Sequence, residues 1–324
     1  MSAGEDLRCR VCGAVLGPPT FFAPDRNLGT GGEHGVAVCA RCGAGLTLPP
    51  VDDAELAAFY PAGYGAYDDN MPGAARLASR AIRSLQGKAA LRSPPVDVLQ
   101  GRPPGRGLDV GCGRGDLAVV LAGRGWTMSG VEPSAEATAV AVSRGINARC
   151  GTLSTVSLER DAYDAIVFRH SLEHINDPVA AMRTASSALV PDGMMLVSVP
   201  NFGSWQAARF RGCWYHLDLP RHRVHFTPRA LELVLEAAGL DVVSMSTTSS
   251  TVGLPASVQY RLFGRCLFPT GLGLRIASGL CALVLPLNVA LDRARGGGDT
   301  LHAVARRADR ARSISSSSAS TGAG

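Results

Sequence analysis

The chain has little charge and few aromatics: 18% of its 324 residues are charged and 6% are aromatic. Hydrophobic residues make up 46%, which excludes a disordered chain and fits a buried core. The net charge is only +5, so no strongly polyanionic partner is implied. Met1 to Leu7 has no apolar stretch of signal-peptide type, and no secretory leader is expected. Long uninterrupted hydrophobic runs are also missing. The nearest, Ile276 to Leu291, contains Pro286 and Asn288 and is short for a bilayer span. We read 254–292 as an apolar helical insertion, packed as a cap or an interface, with peripheral membrane contact as the alternative. The nine cysteines do not suggest a disulfide scaffold. Four fall into two close pairs and the rest stand singly in apolar surroundings, which points to a reducing, cytoplasmic setting. The length suits one large domain with a small one.

The paired cysteines open the chain. Cys9-Arg10-Val11-Cys12-Gly13 and Cys39-Ala40-Arg41-Cys42-Gly43 are two C-x-x-C-G knuckles. Two residues between ligands allow a tight turn, and each pair supplies one edge of a tetrahedral metal site. Cys9, Cys12, Cys39 and Cys42 together predict a structural Zn²⁺ ribbon with no open coordination position. Residues 49–72 then carry Phe59, Tyr60, Tyr64 and Tyr67, dense for so aromatic-poor a chain. Ala74 to Arg92 reads as a helix with five basic residues and no acid, followed by a proline-rich linker to Arg106.

From Arg106 the pattern alternates between strand and helix, the signature of a parallel sheet with crossover helices. Strands are predicted near 106–111, 126–132, 146–150, 163–169, 193–199 and 240–247. Helices are predicted near 114–124, 134–144, 177–189 and 228–238. Asp299 to Arg306 reads as a last strand, and the serine-rich segment from Ser313 as disordered. The first strand ends in Leu108-Asp109-Val110-Gly111-Cys112-Gly113-Arg114-Gly115, whose alternating glycines let the backbone bend sharply and a ligand come close. Glu132 follows at the end of the next strand, where nucleotide-binding folds hold ribose hydroxyls on a carboxylate.

This G-x-G-x-G run with its leading Leu-Asp-Val resembles the first motif of class I S-adenosylmethionine-dependent methyltransferases. The resemblance implies a doubly wound, Rossmann-like α/β fold, with a seven-stranded, mostly parallel sheet and an antiparallel last strand beside the sixth. It implies S-adenosyl-L-methionine as cofactor. Asp109, Gly111 and Gly113 would line its methionyl part, and Glu132 would take its ribose. Thr152 and Leu153 would stand by the adenine, and His170 would face the transferred methyl. Phe168 to Pro178 resembles the family segment ending Leu-Glu-His-x-x-Asp-Pro, although Asp177-Pro178 also reads simply as a helix start.

Five of the seven histidines lie between 170 and 225. His222-Arg223-Val224-His225-Phe226-Thr227 resembles the His-x-x-His-Phe-Thr stretch of zinc-ribbon methyltransferases, and more distantly the zinc-bearing sugar C-methyltransferases. In the latter a glutamate precedes the histidine, where this chain has Arg221. Methyl transfer to a hydroxyl needs a base, and imidazole titrates in the right range. His222 is the first candidate, with His170 and His225 behind it. His170, Glu173 and His174, with His222 or His225, are also a candidate ligand set for a divalent ion.

These readings divide the chain into a zinc ribbon (1–50), an aromatic and basic linker (51–105), a methyltransferase domain (106–253 and 293–310), the insertion and a tail (311–324). The expected acceptor is a small molecule or glycan precursor, methylated on oxygen in preference to carbon or nitrogen. An RNA methyltransferase gripping phosphates through the ribbon and basic helix is the second reading. An inactive zinc-ribbon adaptor is the third. The ribbon's few basic residues argue against a nucleic-acid partner.

Overall fold

A computed structural model describes residues 7–60, 89–265 and 271–307. The expected basic helix at 74–92, Tyr64, Tyr67 and the serine-rich tail lie mostly or wholly outside these residues.

The large sheet is built from β4 (Arg106–Val110), β5 (Thr127–Glu132), β6 (Asn147–Cys150), β7 (Tyr163–Arg169), β8 (Leu189–Pro200), β10 (Leu240–Thr248) and β11 (Thr300–Arg307). Its order is β10-β11-β8-β7-β4-β5-β6. β4, β5, β6, β7 and β8 pair in parallel, whereas β11 runs antiparallel to both β8 and β10. Each strand falls within a few residues of its predicted position. The central strands are buried on both faces, as expected of a sheet covered by helices: Leu108, Ile166, Phe168, Met195 and Leu196 are fully enclosed.

The helices are α2 (Asp116–Ala122), α3 (Ala135–Ser143), α4 (Pro178–Ala188) and α6 (Pro228–Ala237). Their starts follow capping chemistry. Ser134 accepts from Ala137 N, Asp177 from Ala180 N and Thr227 from Ala230 N, and proline stands first in α4 and α6. The chain leaves β4 toward β5 on one side and returns through β7 on the other. That reversal opens a crevice at the carboxyl ends of the strands, where open α/β sheets bind ligands.

The N-terminal unit contributes β1 (Phe21–Pro24), β2 (Glu33–Val38), β3 (Gly45–Leu48) and α1 (Asp53–Ala58). It does not stand apart. β9 (Val224–His225), from the large domain, adds to its sheet beside β3, with Gly45 opposite His225 and Leu46 opposite Val224. Cys9, Val11, Leu16, Ala37, Ala44 and Leu46 pack into the same core as Phe168, Leu172, Val224, Phe226 and Leu231. The small unit therefore has no separate core.

A buried ion pair adds to the joint. Arg221, fully enclosed, donates to both oxygens of Asp25 at 2.7 and 2.8 Å and to Asp218 at 2.7 and 3.1 Å. Arg223 reaches Asp53 and the Asp52 carbonyl of the segment leading into α1.

The insertion is helical, as expected: α7 (Gly253–Phe263) and α8 (Gly271–Ala294), with Pro286 inside α8. Asn288 and Asp292 moor α8 to Gln206 and Trp205 of α5 (Trp205–Phe210). Leu262, Phe263, Leu283 and Leu287 remain exposed. Among the described residues no helix is long and apolar enough to cross a membrane.

Candidate functional site

A cavity of about 700 Å³ occupies the crevice at the carboxyl ends of β4, β5 and β7. Its size is that of a small-molecule site. One wall is Val110, Gly111, Val131, Glu132, Pro133 and Ser134. A second is Gly151 to Ser154, and the opposite wall holds His170, Ser171, His174 and Ile175. Asp53, Leu56 and Tyr60 close the rim from the segment that follows the ribbon.

The first wall follows from the glycine turn. Gly111, Gly113 and Gly115 all take the left-handed conformation, at φ 74°, 53° and 75°. At Gly111 a β-carbon would also sit 2.5 Å from that of Ser171, so no other residue fits without displacement. Glu132 ties this turn to the next helix. One carboxylate oxygen accepts from Gly113 N at 2.8 Å and the other from Ser134 N at 2.9 Å. Each oxygen keeps a lone pair for a hydroxyl in the cavity. Burial raises the Glu132 carboxyl, and the two backbone donors partly restore it.

The sequence match decides the family. A family model described as "Methyltransferase domain" matches residues 80–245, just over half of the chain. The chain belongs to this family. Relatives of the methyltransferase domain include the "Ubiquinone biosynthesis O-methyltransferase" of Idiomarina loihiensis. It is 29% identical over 152 residues, which is 43% of this chain and 63% of that protein, so the match spans less than two thirds of the relative's length. The protein of the same name from Dinoroseobacter shibae is 32% identical over 170 residues, covering 49% of this chain and 67% of the relative. Among solved structures, a SAM-dependent methyltransferase from Archaeoglobus fulgidus aligns with a TM-score of 0.48 and 19% identity. That alignment covers 69% of this chain and 94% of the other.

Of the expected cofactor contacts, Gly111, Glu132, Thr152, Leu153 and His170 line the cavity of the methyltransferase domain, whereas Asp109 and Gly113 are not among its lining residues. Burial pushes the Asp109 carboxyl up to about 7, against the pull of Arg169 and with repulsion from Glu132 and Asp116. A carboxyl raised this way binds its proton more tightly when folded than when unfolded. Stability therefore falls as pH rises from the unfolded value, about 3.9, through 7. Asp109→Asn should stabilise the cofactor-free protein by on the order of 2–4 kcal/mol at pH 8, and by progressively less toward pH 4. Urea unfolding at several pH values checks this. An equal effect at pH 4 and pH 8 would contradict it.

The histidines separate into two groups. His170 and His174 line the cavity, and His222 and His225 do not. His170 is half-exposed, left-handed at φ 53°, and has Nδ1 3.5 Å from Glu173. His222 lies behind that wall, with Nδ1 2.8 Å from the His216 carbonyl. Burial and the neighbouring His174 push it down to about 4, against Asp218 and Glu173. His225 lies in β9, 3.1 Å from Thr47 Oγ1 and against the Phe202 ring; burial, then His222, pushes it down to about 3. Arg221, which stands where the sugar enzymes carry a glutamate, belongs to the buried Asp25 pair and not to the cavity.

Glu173 is a buried carboxylate among these rings, with Asp218 also beside His222. Burial opposes its ionisation, but His170, His222 and His174 hold it below the usual carboxylate range. The rim residues Asp53, Leu56 and Tyr60 were given no role on sequence grounds, although the aromatic density at 49–72 marked their neighbourhood. No described residue of 254–292 lines the cavity, so the insertion's described part does not roof it.

The four cysteines meet. Cys9 Sγ stands 3.6 Å from Cys42 Sγ, and Cys12 Sγ 3.6 Å from Cys39 Sγ, with all four sulfurs within 4.8 Å of one another. A tetrahedron with zinc–sulfur bonds near 2.3 Å has edges of about 3.8 Å, whereas a disulfide needs about 2 Å. Each knuckle repeats the same turn: Gly13 N donates to Cys9 O and Gly43 N to Cys39 O, both at 2.8 Å. The donor set fits a structural zinc.

Proposed function

We propose that the protein is an S-adenosylmethionine-dependent methyltransferase that methylates a hydroxyl of a small molecule or glycan precursor. The observation that carries this reading is a cavity bounded by Gly111 and Glu132 and also by His170. Bound cofactor supplies an electrophilic methyl. Glu132 is placed to accept both hydrogen bonds of a vicinal diol, and Pro133, Leu153 and Ile175 offer apolar surface to a base. Methyl transfer is an in-line displacement, so the chain's task is alignment and removal of the acceptor proton. His170 borders the cavity and takes that proton; His222 and His225 support the wall behind it. Asp53 and Tyr60 at the rim meet the acceptor. The O-methyltransferase relatives support oxygen as the methylated atom. The four cysteines hold zinc in a purely structural role.

S-adenosylhomocysteine should raise the melting temperature of the wild type, as a ligand selective for the native state does. Glu132→Ala should weaken its binding by about 1–3 kcal/mol, and Glu132→Gln by less, because charge-assisted hydrogen bonds are lost. Titration calorimetry reads both. Folded wild-type protein with no response to either cofactor form would end this reading. With binding in hand, a deuterated-methyl cofactor offered to cell extract and followed by mass spectrometry identifies the acceptor.

A further inference from the structure

Glu173 is 1% exposed, and neither of its carboxylate oxygens has a hydrogen-bond donor. Its nearest nitrogens are His170 Nδ1 at 3.5 Å and His222 Nε2 at 4.0 Å. A buried carboxylate without a donor is costly, so something must compensate it.

His170 Nδ1, at 3.5 Å, is placed for at most a weak hydrogen bond to one oxygen, and the His174 and His222 rings do not supply a proton from the nitrogens they leave free. His222 Nδ1 lies 2.8 Å from the carbonyl oxygen of His216, and His174 Nδ1 lies 3.0 Å from that of Arg221. A carbonyl only accepts, so both Nδ1 atoms carry the hydrogen. In the neutral ring each Nε2 then bears a lone pair. Ligand atoms of Glu173, His174 and His222 all lie within 4.8 Å of one another. His222 Nε2 also stands 3.8 Å from Asp218, but that carboxylate is engaged by Arg221 and Asn27. His222 Nε2, 4.0 Å from Glu173, turns its lone pair toward that carboxylate, and the two repel unless a proton or a metal cation lies between them.

We propose that Glu173, His174 and His222 form a second metal site, for a divalent first-row transition ion. Two imidazoles and one carboxylate are a donor set that suits such ions and leaves coordination positions open. The backbone carbonyls on both Nδ1 atoms are the outer partners that fix a metal-binding histidine in its tautomer. Arg221, whose carbonyl is one of them, is pinned by Asp25 and Asp218. His174 lines the cavity, so an ion held by these residues would lie at the cavity's edge. An acceptor hydroxyl bound there would lose its proton more readily. That last role rests on the methyltransferase reading; metal binding itself does not.

The test loads the metal-free full chain with cobalt(II) chloride and reads stoichiometry and spectrum. Thiolate-bound cobalt gives intense near-ultraviolet charge-transfer bands, and a nitrogen–oxygen site gives only weak visible bands. Wild type should take up two ions per chain, one of each kind. Glu173→Gln and His222→Gln should each keep the thiolate ion and lose the other. S-adenosylhomocysteine thermal shift on the same samples confirms folding, and either variant alone suffices if the other misfolds. A wild type that binds cobalt only in the thiolate site while responding normally to S-adenosylhomocysteine overturns the proposal, as do two folded variants that both retain the second ion. Two bound ions with no response to S-adenosylhomocysteine would instead support the metal site and overturn the methyltransferase reading.

Discussion

Cys42→Ser, or stripping the metal with a chelator, should destabilise far more than residues 7–48. Structural zinc in small ribbons supplies on the order of 10 kcal/mol of folding free energy, comparable to the whole stability of a domain. An independent ribbon would melt alone. Here Ala37, Ala44 and Leu46 share a core with Phe168 and Phe226, and β3 pairs with β9. Thr47 Oγ1 holds the His222 carbonyl at 2.5 Å, and Thr227 Oγ1 holds the Cys42 carbonyl at 3.0 Å. Loss of metal should therefore strip hydrogen-exchange protection from 222–227 as well as from 35–48, and weaken S-adenosylhomocysteine binding. A single calorimetric transition should move to lower temperature. Unchanged protection at 222–227 in metal-free protein would show that the ribbon is an appendage after all.

On the proposed reading of His170 as the acceptor-side base, its removal should have the largest effect on turnover. His170 stands in the left-handed region, where alanine is strained but asparagine is tolerated. His170→Asn is thus the cleaner variant. It should lower kcat by on the order of 10²–10⁴, about 3–5 kcal/mol, and change S-adenosylhomocysteine affinity only a few-fold. Any rise of kcat/KM with pH that the imidazole causes should disappear in this variant, since only the neutral ring accepts a proton. Normal turnover with an unaltered profile would take the role from His170.

Most of the large domain could be read before any coordinates, and the reasons are local. Thr227-Pro228 and Asp177-Pro178 announce helix starts, and Leu108 to Gly115 announces a strand followed by a sharp turn. Glu132 was legible because its place at the end of the second strand follows from the fold. The division of labour among the histidines was not. His222 and His225 are close in sequence, and both read as facing the acceptor, yet each turns into packed structure. What turns them is a two-residue strand, Val224–His225, whose partner lies at Gly45–Leu46, far away in the chain. Period and capping carry no information about such a pairing. Arg221 was equally opaque: a lone arginine in a polar run gives no sign that Asp25 will enclose it.

The place of β11 in the sheet has a consequence for biogenesis. This strand is the last of the sheet to be synthesised, yet it lies between β8 and β10 and pairs with both along nearly its whole length. Until it emerges, the ribosome-bound chain carries β8 with an open edge and β10 with no strand to join. Exposed, apolar strand edges are templates for association with other chains. A nascent chain stalled or cleaved before Thr300 would thus be a natural client for chaperones, even though the ribbon, the glycine turn and the whole cavity wall were already made.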